Sequence, residues 1–167
     1  MKTVKDDSRE GFDLPLAALD SVPVIFFGAS AAQAADFIDD PLFTAGTQLS
    51  ALAGACKVTW KFAIALGYGD IKPLNAAFVP LQCAGMGMAA YSAYKNRAKI
   101  KEGELLEKAS AFPAVIYFSA GAALMTCMGV LASHFDDSAG SNYKAEAVNS
   151  CAQAMIWLGI RSMDRER

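Results

Sequence analysis

Two lysines, Lys57 and Lys61, stand four residues apart inside an otherwise uncharged stretch that begins at Pro41. At this spacing on a helix both ammonium groups lie on one stripe, with Trp60 and Ile64 beside them. An ammonium group in apolar surroundings needs a polar partner or an exit to water, which makes it a candidate anchor for a polar or anionic ligand. A second stripe has matching order: Glu146, Asn149, Ser150 and Gln153 follow the i, i+3, i+4, i+7 pattern. A carboxylate and two amides on one helical face complement two ammonium groups. The candidate ligand-binding residues are therefore Lys57, Lys61, Glu146, Asn149 and Gln153. Packing of the two stripes would bring Glu146 near Lys61, and Asn149 or Gln153 near Lys57.

The segments that must carry these residues are long and apolar. The 167-residue chain is 54% hydrophobic, with a mean hydropathy of +0.26. Pro73 to Tyr94 and Ala109 to Phe135 contain no Lys, Arg, Asp or Glu. A bilayer core requires about 20 apolar residues in a helix, so each run is long enough to span. Three further segments are more polar: Ser21 to Ala35 lies between Asp20 and Asp36, Pro41 to Leu66 contains the lysines, and Ala147 to Ile160 must extend back to Tyr143. The fold class expected is all-α, a polytopic integral membrane bundle with spans at 20–38, 42–66, 73–94, 110–135 and 143–160. A polar arm (1–13) precedes the single helical domain and a basic tail (161–167) follows it. Four spans plus a re-entrant segment is the alternative.

Prolines mark helix starts, where a missing N–H costs little. Asp40-Pro41 reads as a cap and first helical position, and Lys72-Pro73 and Phe112-Pro113 open later segments. Pro80 lies inside a segment and predicts a kink near Ala76 or Ala77. Small residues at four-residue spacing, including Ser50/Gly54 and Gly85/Ala89, suit close helix packing. Five alternating spans collect Asp20, Lys57, Lys61, Asn75, His134, Glu146, Asn149 and Gln153 in one half of the membrane. The opposite side holds Lys95, Arg97, Lys99, Lys101 and Lys108, with Arg161, Arg165 and Arg167 in the tail. The positive-inside rule makes that side cytoplasmic and the N-terminus external, with Lys2, Lys5 and Arg9 running against it.

Other chemistry finds little support. The cysteines Cys56, Cys83, Cys127 and Cys151 lack metal or redox spacing, so neither a metal nor a cofactor is expected. His134, beside Ser133 and Asp136, is a local string rather than a spatial triad, and no catalytic residue is assigned. A net charge of −2 without a basic aromatic face argues against nucleic acid. The A-x-A strings near Ala29 to Ala34 follow an acidic region, which reads as a retained first span rather than a signal peptide.

Gly67-Tyr68-Gly69-Asp70 resembles the potassium-channel filter signature, in which backbone carbonyls replace an ion's hydration shell. Ala65 and Leu66 stand where the filter has Thr and Val, and the preceding segment has the length of a span. A glycine helix end, followed by Asp70 starting the next helix, is the plainer expectation. The function expected is binding or transport of a small polar or anionic ligand at the Lys-centred site, within a lipid bilayer. An accessory subunit docking a partner membrane protein, a homo-oligomer, a channel-like pore and a lipid-modifying enzyme are the alternatives.

Overall fold

Aspartates at helix starts and glycines at one helix end set the boundaries of the bundle. In the computed structural model, which describes residues 12–102, 105–132, 134 and 139–164, all regular structure among the described residues is helical. Asp13 accepts a hydrogen bond from the Leu16 N–H at 3.0 Å and opens α1, Leu14–Ile38. This helix starts six residues ahead of the expected span at 20, because the cap and Pro15 nucleate it earlier. Asp20 is consequently carried from the segment's edge to a position inside the helix. Asp39 closes α1 in the left-handed conformation (φ 47°), and Asp40 opens α2, Pro41–Ala65, by accepting from the N–H groups of Leu42 and Phe43.

Gly67 ends α2. With φ at +81° it lets the Tyr68 N–H donate to the Ala63 carbonyl and its own N–H to that of Ile64, a Schellman closure. Gly69 also has positive φ, and Tyr68 is 79% exposed. The next helix, α3 (Lys72–Lys95), is not capped by Asp70 as expected: Ile71 holds the cap position without a side-chain bond. The Asp70 carboxylate accepts instead from the Trp60 indole N–H at 2.7 Å. Helix α3 continues through Pro80, as α1 does through Pro23.

The segment expected as a basic loop contains two short helices, α4 (Arg97–Glu102) and α5 (Leu105–Ser110). Pro113 then separates α5 from α6, Ala114–Ala132, so the span expected at 110–135 is shorter. Helix α7 runs from Ala139 to Asp164, longer at both ends than expected and including the start of the basic tail. The arm up to residue 11, Ser133, Asp136, Arg165 and Arg167 lie outside the described residues.

The long helices form an arc in the order α3, α2, α1, α7, α6, each packed along its neighbour. Helices α3 and α6, at the two ends, share no extended seam. Packing is closest between α2 and α3: a Cβ on Gly46 would lie 2.6 Å from the Gly85 carbonyl oxygen, and one on Gly85 would lie 2.5 Å from that of Gly46. The Gly85/Ala89 pair thus serves α2–α3 packing, with Gly46 as its counterpart.

Among the described residues, two helices, α1 and α6, combine the length and apolarity needed to cross a membrane, with mean hydropathies of 1.6 and 1.8 over their most apolar stretches. The expectation of five such helices is not met by this measure. Lysines lower α2, and Lys144 and Glu146 lower α7. Helix α3 has no charge in its interior, yet Asn75, Gln82, Ser92 and its glycines and prolines keep it below the same mark. Freedom from charge is a weaker property than apolarity.

Candidate functional site

Lys61 lies in the penultimate turn of α2 and points into the bundle, where only 2% of it is exposed. A buried ammonium group requires compensating charge. Its Nζ lies 2.9 Å from Asp20 Oδ1 on α1 and 3.0 Å from Glu146 Oε1 on α7. Both carboxylates are also buried. The alternation of helix direction explains the meeting, since the start of α1, the end of α2 and the start of α7 share one end of the bundle.

The two stripes meet differently from the direct packing expected. Helix α1 lies between α2 and α7, which have no extended seam of their own. The long Lys61 side chain and the Glu146 carboxylate reach each other beside α1, and Asp20 completes the bridge. Asp20 was not among the candidates drawn from the sequence. The alternation of spans places it in the same half as the lysines and allows it as a second carboxylate near Lys57, but a lone acidic residue next to an uncharged run is equally typical of a helix end.

One turn before Lys61, the Lys57 ammonium rests 4.9 Å from the centroid of the Phe78 ring on α3, a cation–π contact. No ion pair joins it to a carboxylate among the described residues. It lines a cavity of about 220 Å³ to which all five long helices contribute. Glu146, Asn149 and Gln153 of α7 line the same cavity, along with Asp20 of α1. Four of the five candidate residues therefore share this space, while Lys61 stands behind it, held by two of its walls.

The remaining walls divide by chemistry. Val24 and Phe27 of α1, Phe78 of α3, and Met125 and Met128 of α6 are apolar, while Ser50 of α2 and Gln82 of α3 are polar. Ser50 is 2% exposed, and its hydroxyl has no hydrogen-bond partner among the described residues. Among the described residues the Gln153 amide donates only to the Met125 sulfur, at 3.9 Å. Sulfur is a weak acceptor, so this amide can be given up to a better one. Of the other polar residues expected at this depth, Asn75 is exposed, and the His134 Nδ1 lies 2.8 Å from the Val130 carbonyl oxygen at the end of α6.

Polar contacts at the two ends of the bundle hold the helices that frame the cavity. The Tyr143 hydroxyl donates to Asp13 at 2.5 Å, tying α7 to the start of α1 and holding the Asp13 carboxyl below its usual range. At the opposite end the Asn96 amide donates to Asp40 at 2.8 Å, joining the α1–α2 turn to the end of α3. This bond, helped by the backbone donors at the cap, lowers the Asp40 carboxyl to about 2.

Among the described residues, no group of three or more His, Cys, Asp or Glu side chains is placed to hold a metal ion. The four cysteines are unpaired with one another, and Cys83, Cys127 and Cys151 face outward. Compared with protein-family models, curated proteins and solved structures, the chain matches none.

Proposed function

We propose that the chain is a multi-span membrane protein that binds or moves a small polar or anionic ligand in the cavity beside Lys57. The membrane reading is supported by an inverted distribution of polarity. Asp20, Lys61 and Glu146 are buried, while Ile25, Leu52, Val79, Ile116 and Val130 are each more than half exposed. Helix α6 is the more apolar of the two strongest spans, yet little of its apolar window is buried inside the bundle. A core helix of a water-soluble protein would bury that surface, whereas hydrocarbon leaves it where it is. Tyr68, just before α3, and Tyr94, near its end, are both exposed, and the helix from Lys72 to Tyr94 rises about 33 Å at 1.5 Å per residue, close to the roughly 30 Å of a bilayer core. Such aromatics suit the two headgroup belts. Arg97, Lys108 and Arg161 share the side expected to be cytoplasmic, which leaves the start of α1 and the lysine site in the outer half.

The observation that carries the ligand reading is Lys57: a cation on a cavity wall, beside amides and a hydroxyl, with no carboxylate in ion-pair contact among the described residues. Lys61 is already neutralised and serves to position the carboxylates. Native mass spectrometry of the protein purified in mild detergent tests the reading. A small molecule should be retained by the wild type and lost from Lys57→Gln at equal expression. Equal retention by both proteins would exclude Lys57 as the anchor. The exposed apolar surface of α3 supports a second reading, an accessory subunit, whose mark is co-purification of a second membrane protein independent of Lys57.

A further inference from the structure

We infer that the cavity takes a small carboxylic acid with an apolar body, bound as its carboxylate on Lys57, together with one proton held by the Asp20–Glu146 pair. This rests on the ligand reading above and adds the ligand class and the coupled ion.

Charge balance is the first argument. The ionisable groups facing the cavity and its rear wall are Asp20 from α1, Lys57 and Lys61 from α2, and Glu146 from α7. Helices α3 and α6 contribute Phe78, Gln82, Met125 and Met128 to the lining, and none of these titrates. Two carboxylates and two ammonium groups cancel. Within the bilayer reading proposed above, a monoanion entering this site leaves one uncompensated negative charge in apolar surroundings, which is strongly unfavourable. A proton arriving with it restores neutrality. A doubly charged anion such as phosphate would need two protons or a further cation. The balance therefore favours a singly charged acid.

The second argument is a position for the proton. Asp20 Oδ1 receives the Lys61 ammonium, while Asp20 Oδ2 is buried and has no hydrogen-bond partner among the described residues. A proton on Oδ2 leaves the Oδ1 contact intact. Lys61 keeps Glu146 as its charged partner at 3.0 Å, so the bridge persists with one carboxylate neutral. The proton is drawn ultimately from water and returns there on release, whether it reaches Asp20 alone or attached to the acid, and no carbon–oxygen bond of the ligand is broken.

The third argument is shape and lining. Phe27, Phe78, Met125 and Met128 form apolar walls suited to a hydrocarbon body. The Gln153 amide, whose one acceptor among the described residues is a sulfur, is a donor available to carboxylate oxygens, and the buried Ser50 hydroxyl lies in the same wall with no partner among the described residues. A dry cavity of 150 Å³ holds benzene, so 220 Å³ suits a ligand of about nine non-hydrogen atoms by proportion. Benzoate has that size and serves as the probe, with butyrate as a smaller one.

Titration calorimetry on the full chain in detergent at pH 7.5, in phosphate and in Tris, separates binding from protonation because the buffers differ in ionisation heat. Wild type should bind benzoate with uptake of about one proton per molecule bound. Lys57→Gln should weaken binding by about tenfold or more, the loss expected for a charge-assisted contact. Asp20→Asn should bind benzoate without proton uptake, and the wild-type measurement decides the question if that variant does not fold. Benzoate binding by the wild type without proton uptake would overturn the coupling while leaving ligand binding at Lys57 standing. Failure of both acids, with a different molecule retained in a Lys57-dependent way, would overturn the ligand class alone. Failure of both acids with nothing retained would remove the ligand reading as well.

Discussion

The Lys61 ammonium and the Glu146 carboxylate lie 3.0 Å apart although 85 positions separate them in the chain. The contact closes α2 against α7 beside α1, and Asp20 supplies a second carboxylate to the same nitrogen at 2.9 Å. A buried bridge of this kind is costly to break from one side, because the remaining charges have no water to turn to.

Lys61→Met should therefore destabilise the protein by about 3–5 kcal/mol. The triple replacement Lys61→Met, Asp20→Asn, Glu146→Gln should recover much of that loss, since no charge is then stranded. Thermal unfolding in detergent, followed by helical signal, checks both. A triple variant no more stable than the single one would mean that the bridge contributes through shape rather than charge.

Lys57 should behave differently from its neighbour. Lys57→Leu removes one cation–π contact and no ion pair among the described residues, so a modest loss of about 0.5–2 kcal/mol is expected. Its melting temperature should fall far less than that of Lys61→Met in the same assay. Similar losses at the two positions would place Lys57 in the structural bridge.

Gly46→Ala should cost about 1–3 kcal/mol, because the added Cβ meets the Gly85 backbone and neither helix can yield locally. Gly87→Ala on α3 is the control. A Cβ there meets nothing within 4 Å, and the gain in helix propensity makes the change neutral or favourable by up to about 1 kcal/mol. Comparison of the two melting temperatures tests the closeness of α2 and α3.

The Asp40 link has a pH signature. Its carboxyl is lowered to about 2 in the folded protein, from an ordinary value of 3.8, chiefly by the Asn96 amide. The stability it contributes is present above pH 3.8 and is lost as pH falls from there through about 2. The melting-temperature difference between wild type and Asp40→Ala should accordingly be constant above pH 5 and shrink between pH 4 and 2. A difference unchanged across that window would show that Asp40 acts there without its charge.

Helical periodicity made the Lys57/Lys61 and Glu146/Asn149/Gln153 stripes visible, and alternation of helix direction put them at one depth. Neither property specifies which helix lies between two others, so the intervening α1 was not legible, and Asp20, although the alternation put it at the same depth, could not be singled out as the partner of Lys61. Phe78, Met125 and Met128 are ordinary apolar residues in their own segments and become a lining only when α3 and α6 approach. The start of α1 depended on Asp13, a cap that is easily overlooked when a span is delimited by its uncharged run. At 67–70 the glycines were legible as a helix end, while the acceptance of the Trp60 indole by Asp70 required knowing how the turn folds back.

The near-contact of the Gly46 and Gly85 backbones has a mechanical consequence. With no side chain between them to shear or re-pack, α2 and α3 form one stiff jaw. The second jaw is α6–α7, and α1 is the spine on which both are mounted. Widening the cavity then means parting the jaw tips, α3 and α6, where the arc is already unseamed. The mouth so formed faces sideways. In a bilayer that direction leads into hydrocarbon, a phase that admits a weak acid as its neutral form, with its proton still attached.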